Sequence, residues 1–269
     1  MRYTLNTCSV CGSESIEPID KKIDGLDTYI VYKCKACDEI VSAAKPRVVE
    51  TVQKKTTEDM LPVDIYSKSI NSIVIVNSDI DEEKTSAGTG FAISSNGYIL
   101  TNAHNVTSMV GEKEEQLQFE INNNITIKLN NDLTYDCDLV NIDLKLDLAI
   151  LKTSEDIKID VLNFGSYDDV KTGERVLTIG NSKGEGLSIT EGLVSDRARK
   201  VGSTNKIMIS IPINHGNSGG PLFNYRNEVI GVVSMGKNNA VAMNYAIPSN
   251  DAIEFIKKTE RNEEIKILN

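Results

Sequence analysis

A serine framed by glycines, Gly216-Asn217-Ser218-Gly219-Gly220, constrains this 269-residue chain more than any other feature, because its two histidines, His104 and His215, both precede it. Glycines around a serine make a turn that projects the hydroxyl while backbone N–H groups converge beside it. A nucleophile with an oxyanion hole needs that arrangement. The run also contains G-x-S-x-G, the elbow of the α/β-hydrolases, in which an acid and then a histidine follow the serine. No histidine follows Ser218, so that order is closed to this chain. Base first, acid between and serine last remains open.

The rest of the chain points to strands. Aromatic residues are 5% of the chain and Trp is absent, so the core must be built from Ile, Val and Leu. Ile73–Val76, Thr89–Ile93, Tyr98–Thr101, Ile125–Leu129, Tyr135–Val140 and Leu148–Leu151 read as short strands. So do Arg175–Ile179, Leu187–Val194, Lys206–Ile209, Val229–Val233 and Met243–Ile247. Asn96-Gly97, between the second and third of these, is a hairpin signal. Many short strands with turn signals between them predict a barrel or sandwich. Ser249–Lys258 opens on capping residues and carries lysines near its end, which predicts a C-terminal helix.

A net charge of −10 argues against a chain that binds nucleic acid along its whole surface. No apolar run approaches the ~20 residues of a membrane-spanning helix. Met1–Cys8 has no apolar core of a secretory signal, so a cytoplasmic location is expected. Cysteines in that compartment serve as metal ligands more often than as disulfides.

His104 follows a predicted strand, in Thr101-Asn102-Ala103-His104, a rigid place to hold a general base. His215 lies three residues before Ser218 in the same turn, where backbone geometry points the two side chains apart; it reads as an exposed residue at the cleft edge. The acid is less constrained. Asp132, Asp136, Asp138, Asp143 and Asp147 all lie between base and nucleophile. Asp143 alternates with Lys145 toward water, whereas Asp147 opens the apolar run Leu148-Ala149-Ile150-Leu151 and needs a partner for its charge. The residues alone do not separate Asp147 from the other four.

Gly88–Ile93, Gly97–His104, Asp147–Lys152, Gly180-Asn181-Ser182, Thr190–Ser195, Gly216–Leu222 and Ala246–Asn250 stand in an order that resembles the successive signatures of the HtrA/Deg serine proteases. The resemblance covers about residues 62–258. It implies a mainly β, chymotrypsin/trypsin-like double β-barrel with a C-terminal helix and a cleft between the barrels. It implies His104 as general base, Asp147 as orienting acid and Ser218 as nucleophile. Backbone N–H groups of Gly216 and Ser218, with Asn217 as a further member, would form the oxyanion hole. Pocket-lining positions fall on Ile213, Val233, Ser234, Met235 and Gly236, none of them acidic, so a small or medium apolar residue is expected before the cut bond. Ile213 and Met235 also suit plain barrel packing. His215 and Ser182-Lys183-Gly184 depart from the family pattern. The chain stops about twenty residues after Pro248, leaving no room for a PDZ domain.

Two C-x-x-C pairs, Cys8/Cys11 and Cys34/Cys37, are separated by residues 12–33, slightly more than the usual ~15–20. Two such pairs complete a tetrahedral Zn²⁺ site. Tyr29–Lys33 alternates as a strand running into the second pair, so a zinc ribbon is expected, stabilised by its metal because so short a segment buries little core. Lysines there are offset by acids, which favours a protein contact over nucleic acid. Cys137 reads as a packed thiol. The expected organisation is a zinc ribbon over 1–42, a linker over 43–61 and a protease domain over 62–269. The expected activity is a serine endopeptidase acting on unfolded or flexible polypeptide, with zinc as a structural cofactor, no catalytic cofactor and oligomerisation open. The alternatives are an idle or latent protease fold that binds through its ribbon, and an esterase using the same triad.

Overall fold

The computed structural model describes Cys11 and residues 13–24, 27–44, 59–113, 116–234 and 244–262. The chain divides into two compact units, Met1–Thr57 and Glu58–Asn269.

The first unit is a three-stranded antiparallel sheet, β1 (Ile16–Asp24), β2 (Asp27–Cys34) and β3 (Ile40–Ala44), in that order. The alternating segment Tyr29–Lys33 lies inside β2 as expected. β3 runs to Ala44, two residues into the expected linker, and residues 45–58 lie outside the described residues.

The second unit opens with α1 (Pro62–Ser69), whose first turn holds Pro62, a residue suited to a helix start because its missing N–H would be unpaired there anyway. Six strands then close a barrel: β4 (Ile73–Asp79), β5 (Thr85–Ala92), β6 (Tyr98–Thr101), β9 (Asn123–Lys128), β10 (Thr134–Asp143) and β11 (Leu148–Thr153), in the spatial order β10-β11-β6-β5-β4-β9. β7 (Thr107–Lys113) and β8 (Gln116–Ile121) form a separate hairpin between β6 and β9. A second closed barrel follows, from β12 (Arg175–Gly180), β13 (Ser188–Val201), β14 (Thr204–Ile209), β15 (Pro221–Phe223), β16 (Val229–Ser234) and β17 (Asn244–Pro248), in the order β12-β13-β14-β17-β16-β15. The expected C-terminal helix is α2 (Ser249–Asn262). This is the trypsin-like double barrel. Among the described residues, no helix is long and apolar enough to cross a membrane.

The packing explains why two strands read as unbroken apolar runs. Ala149 and Leu151 of β11 fill the first barrel with Val74, Val76, Ile99 and Ile127. Leu148 and Ile150, from the other face of β11, join Phe91, Leu177, Phe223, Val232 and Phe255 in a core that unites both barrels with the two helices. β16 does the same on its side: Ile230 and Val233 line the second barrel, Val229 and Val232 the shared core. A strand buried on both faces loses the polar alternation of a half-exposed one. Burying aliphatic side chains of this size contributes about 1.5–3 kcal/mol each, so the shared core holds the cleft rigid.

Candidate active site

The β6–β11 register brings His104 and Asp147 together. Ala149 lies opposite Thr101 in this antiparallel pair, so the residues preceding β11 run alongside those following β6. His104 sits in a short 3₁₀ turn, Ala103–Asn105, directly after β6, and Asp147 directly precedes β11 with a left-handed φ of +66°. The Asn102 side-chain amide donates to the Asp147 carbonyl at 2.8 Å, anchoring that bend. Both carboxylate oxygens of Asp147 lie 2.9 Å from His104 Nδ1, and the His104 backbone N–H donates to Oδ1 at 3.1 Å. A carboxylate accepts, so Nδ1 carries the proton and Nε2 of the neutral ring has a lone pair. The His104 side chain is 43% exposed and that of Asp147 21%, which leaves the ring open to the cleft.

Ser218 lies on the loop between β14 and β15 and is buried. Its carbonyl accepts the Thr89 backbone N–H at 2.9 Å, and the Thr89 hydroxyl donates to the Gly216 carbonyl at 2.6 Å. Thr89 is on β5, so the loop of the second barrel is pinned to a strand of the first. Two further carbonyls of the turn are engaged: that of His215 accepts from Lys183 N–H at 2.7 Å and that of Asn217 from Gly220 N–H at 3.1 Å. In a trans peptide the N–H points opposite its carbonyl. The two N–H groups sharing those peptides belong to Gly216 and Ser218, and among the described residues neither meets an acceptor. The Asn217 N–H is occupied by the Asn214 carbonyl at 3.2 Å, so Asn217 contributes no free N–H here. Gly216 has a φ of +94° that only glycine adopts readily.

The expected pocket residues separate. Ile213 is half-buried against the interior of the second barrel, and Val233 is fully buried within it. Ser234 turns its hydroxyl to Asp147 Oδ2 at 2.9 Å, a contact nothing in its sequence neighbourhood signals. Met235 and Gly236 lie outside the described residues. His215 is exposed, as expected. A cavity of about 950 Å³ lined by Asn71, Asn96, Asn130, Asp156 and Asp160 touches none of His104, Asp147 or Ser218.

In the first unit the sulfurs of Cys11, Cys34 and Cys37 all lie within 4.8 Å of one another, and those of Cys11 and Cys34 are 3.7 Å apart. A disulfide would need ~2.05 Å. A tetrahedron of thiolates at ~2.3 Å from one ion has sulfur–sulfur edges of about 3.8 Å. The Cys37 backbone N–H, bonded to the Cys34 sulfur, holds the Cys34 thiol down to about 7, toward the thiolate a metal binds. Cys8 lies outside the described residues. Cys137 is buried on β10 of the first barrel, and burial pushes its thiol up to about 12.

The family model described as "Trypsin-like peptidase domain" matches residues 88–232, a span that contains His104, Asp147 and Ser218. The chain belongs to the trypsin-like serine proteases. Within this family it is similar to a probable periplasmic serine endoprotease, DegP-like, of Hahella chejuensis, 34% identical over 191 residues that make up 69% of this chain and 38% of the relative. Serine protease HTRA4 of Mus musculus is 29% identical over 82% of this chain and 44% of its own length. The solved structure of the HtrA-type protease AlgW with tripeptide matches with a TM-score of 0.63 at 25% identity, covering 73% of this chain and 62% of that one. The chain thus spans less than half the length of these two curated relatives. The expected cytoplasmic location is overturned: relatives from Hahella, Pseudomonas and Marinomonas are all named periplasmic endoproteases, which points outside the cytoplasm.

Proposed function

We propose that the chain is a serine endopeptidase that cuts flexible polypeptide through an acyl-enzyme, with His104 as base, Asp147 as its orienting acid and Ser218 as nucleophile. The observation that carries this reading is the imidazole held through Nδ1 by both oxygens of Asp147, on a site whose Gly216 and Ser218 N–H groups meet no acceptor among the described residues. With Nδ1 protonated and bonded, Nε2 takes the Ser218 proton as Oγ attacks the substrate carbonyl carbon. The carbonyl oxygen becomes an oxyanion that accepts from the Gly216 and Ser218 N–H groups. His104 then returns the proton to the leaving amine, and water repeats the sequence on the ester. Asp147 stays ionised, its second oxygen also bonded by Ser234.

A small or medium apolar residue before the cut bond belongs to the same proposal and rests on the family resemblance, since Ile213 and Val233 pack with the interior of the second barrel. So does the rest of the organisation: a zinc ribbon that reaches the end of β3 at Ala44, a linker after it, and the protease domain over 62–269. Cys8, Cys11, Cys34 and Cys37 would hold Zn²⁺, and the three-sulfur cluster fits that ion. The ion would supply folding energy to its small unit and no chemistry to the cleft.

The test is casein cleavage by the parent beside Ser218→Ala, with a serine-directed fluorophosphonate as label. Cleavage and labelling by the parent alone support the endopeptidase. A folded parent that labels and hydrolyses activated esters but leaves casein intact is an esterase. A folded parent that does neither is an idle barrel.

A further inference from the structure

Asn105, the residue after the base, is polar yet 3% exposed. Its amide occupies space that two glycines leave open. A Cβ on Gly88 would fall within 2.4 Å of the Asn105 amide atoms, and one on Gly219 would lie 2.8 Å from Nδ2. Burying an amide costs free energy unless its N–H groups are paired. Here Nδ2 donates to the Ser218 carbonyl at 2.9 Å and to the Thr101 hydroxyl at 2.9 Å. A carbonyl only accepts, so the nitrogen and not the oxygen of the amide faces Ser218.

The contacts close a loop across the two barrels. The Thr101 hydroxyl donates to the Thr89 carbonyl at 2.7 Å, and the Thr89 N–H donates to the same Ser218 carbonyl. The Asn105 backbone carbonyl accepts the Ser78 hydroxyl at 2.8 Å, which in turn accepts from Asn122 Nδ2 at 2.8 Å. Both lone pairs of the Ser218 carbonyl are therefore held by groups of the first barrel, one of them on the residue adjoining His104.

Resting on the endopeptidase reading above, we propose that Asn105 is a positioning residue of the reaction: its buried amide ties the turn that carries His104 to the backbone of the nucleophile Ser218, and so sets the approach of Oγ to the imidazole. Asn105 touches no substrate in this scheme and acts through Ser218. Misplacing a reacting group by about 1 Å costs up to ~100-fold in rate. The effect falls on the chemical step, because substrate binding does not use this amide.

The test compares the full-length parent with Asn105→Leu, which keeps the branched heavy-atom shape, adds some volume and removes both N–H donors. Active sites are counted by complete fluorophosphonate labelling. The expected result is a kcat per labelled site lower by about 10- to 100-fold, a matching fall in labelling rate, and KM within about twofold. Values of kcat per labelled site within about twofold of the parent overturn the inference. Should Asn105→Leu fail to fold, Asn105→Asp decides by its pH profile. An introduced carboxyl donates to the Ser218 carbonyl when protonated and repels it when ionised. The ratio of its kcat to that of the parent must then rise as pH falls, and a ratio independent of pH overturns the inference. A parent that neither cleaves nor labels instead removes the endopeptidase reading, and this inference with it.

Discussion

Gly216→Ala probes how the serine loop is held. The added carbon would lie 1.9 Å from the Asn181 carbonyl oxygen and 3.1 Å from its carbon, at a φ of +94°. Asn181 has little freedom to yield. It is buried, its N–H donates to the Thr89 hydroxyl at 2.9 Å, and its side-chain oxygen accepts from Gly186 N–H at 2.9 Å. A left-handed backbone costs an L-residue about 1–2 kcal/mol before the overlap is added. Rotation of the peptide before Gly216 relieves both and breaks the Lys183–His215 backbone bond, a loss of ~1 kcal/mol. That rotation also turns the Gly216 N–H out of the cleft. One lost oxyanion donor costs about 2.7–4 kcal/mol in the transition state, or ~100–1000-fold in kcat. The cores are untouched, so stability falls by only ~1–2 kcal/mol, a few degrees in Tm for a chain of this size. Steady-state cleavage of a fluorogenic peptide, run beside a thermal melt, reads both numbers. Activity within about threefold of the parent would refute the reasoning, because the Gly216 N–H would then not be a working donor. A collapse of the melt would refute the claim that the loop relaxes by itself.

Asp147→Asn should lower kcat by about 10⁴-fold with the fold intact, since the amide no longer fixes the Nδ1-protonated ring; peptide cleavage with a melt as control checks this. Zinc analysis of the purified chain should give one ion per molecule, and Cys34→Ser should lose it while leaving the melt of the second unit unchanged; full occupancy in Cys34→Ser would count against the cluster as its site. Burial raises Cys137 from 9.0 to about 12, so the stability tied to its neutral thiol is complete below pH 9 and is lost as pH climbs toward 12. Between pH 9 and 11 the denaturation midpoint should therefore fall less in Cys137→Ala than in the parent, and equal slopes would contradict the assignment.

The parts of the fold that show in the sequence are those where burial and local chemistry agree. Leu148–Leu151 and Val229–Val233 are apolar on both faces because each strand divides two cores. Asn96-Gly97 marks a hairpin because Gly97 needs a φ of +91°. The β7–β8 hairpin is invisible for the opposite reason: its apolar residues Met109, Phe119 and Ile121 are 63%, 41% and 57% exposed, so its pattern does not mark a buried face. β1 is hidden by Pro18 and its charges, with a register shift after Pro18. β13 continues to Val201 through the charged stretch Arg197–Lys200, past the point where apolar periodicity ends. Ser234 and Asn105 show why partners across the cleft are harder still. Each meets a residue far away in sequence, Asp147 and Ser218, and nothing local to either residue encodes that meeting.

The choice among five aspartates shows where the missing information resides. Asp132 pairs with Lys128 on its own turn, and Asp136 and Asp138 are exposed on β10. Asp143 accepts the Lys145 and Leu146 N–H groups and closes its own loop. All four are satisfied by neighbours or by water, and composition cannot tell them from Asp147. What differs is register. Antiparallel pairing with Ala149 opposite Thr101 carries residue 147 toward 103 and 104. A one-residue slip would turn the side chains of β11 to the wrong core. Because Ala149 and Leu151 must face the first barrel while Leu148 and Ile150 face the shared core, the slip is forbidden by packing. The apolar residues of β11 thus hold the Asp147 carboxylate against the His104 imidazole, and the position of Asp147 is a consequence of core packing as much as of its own charge.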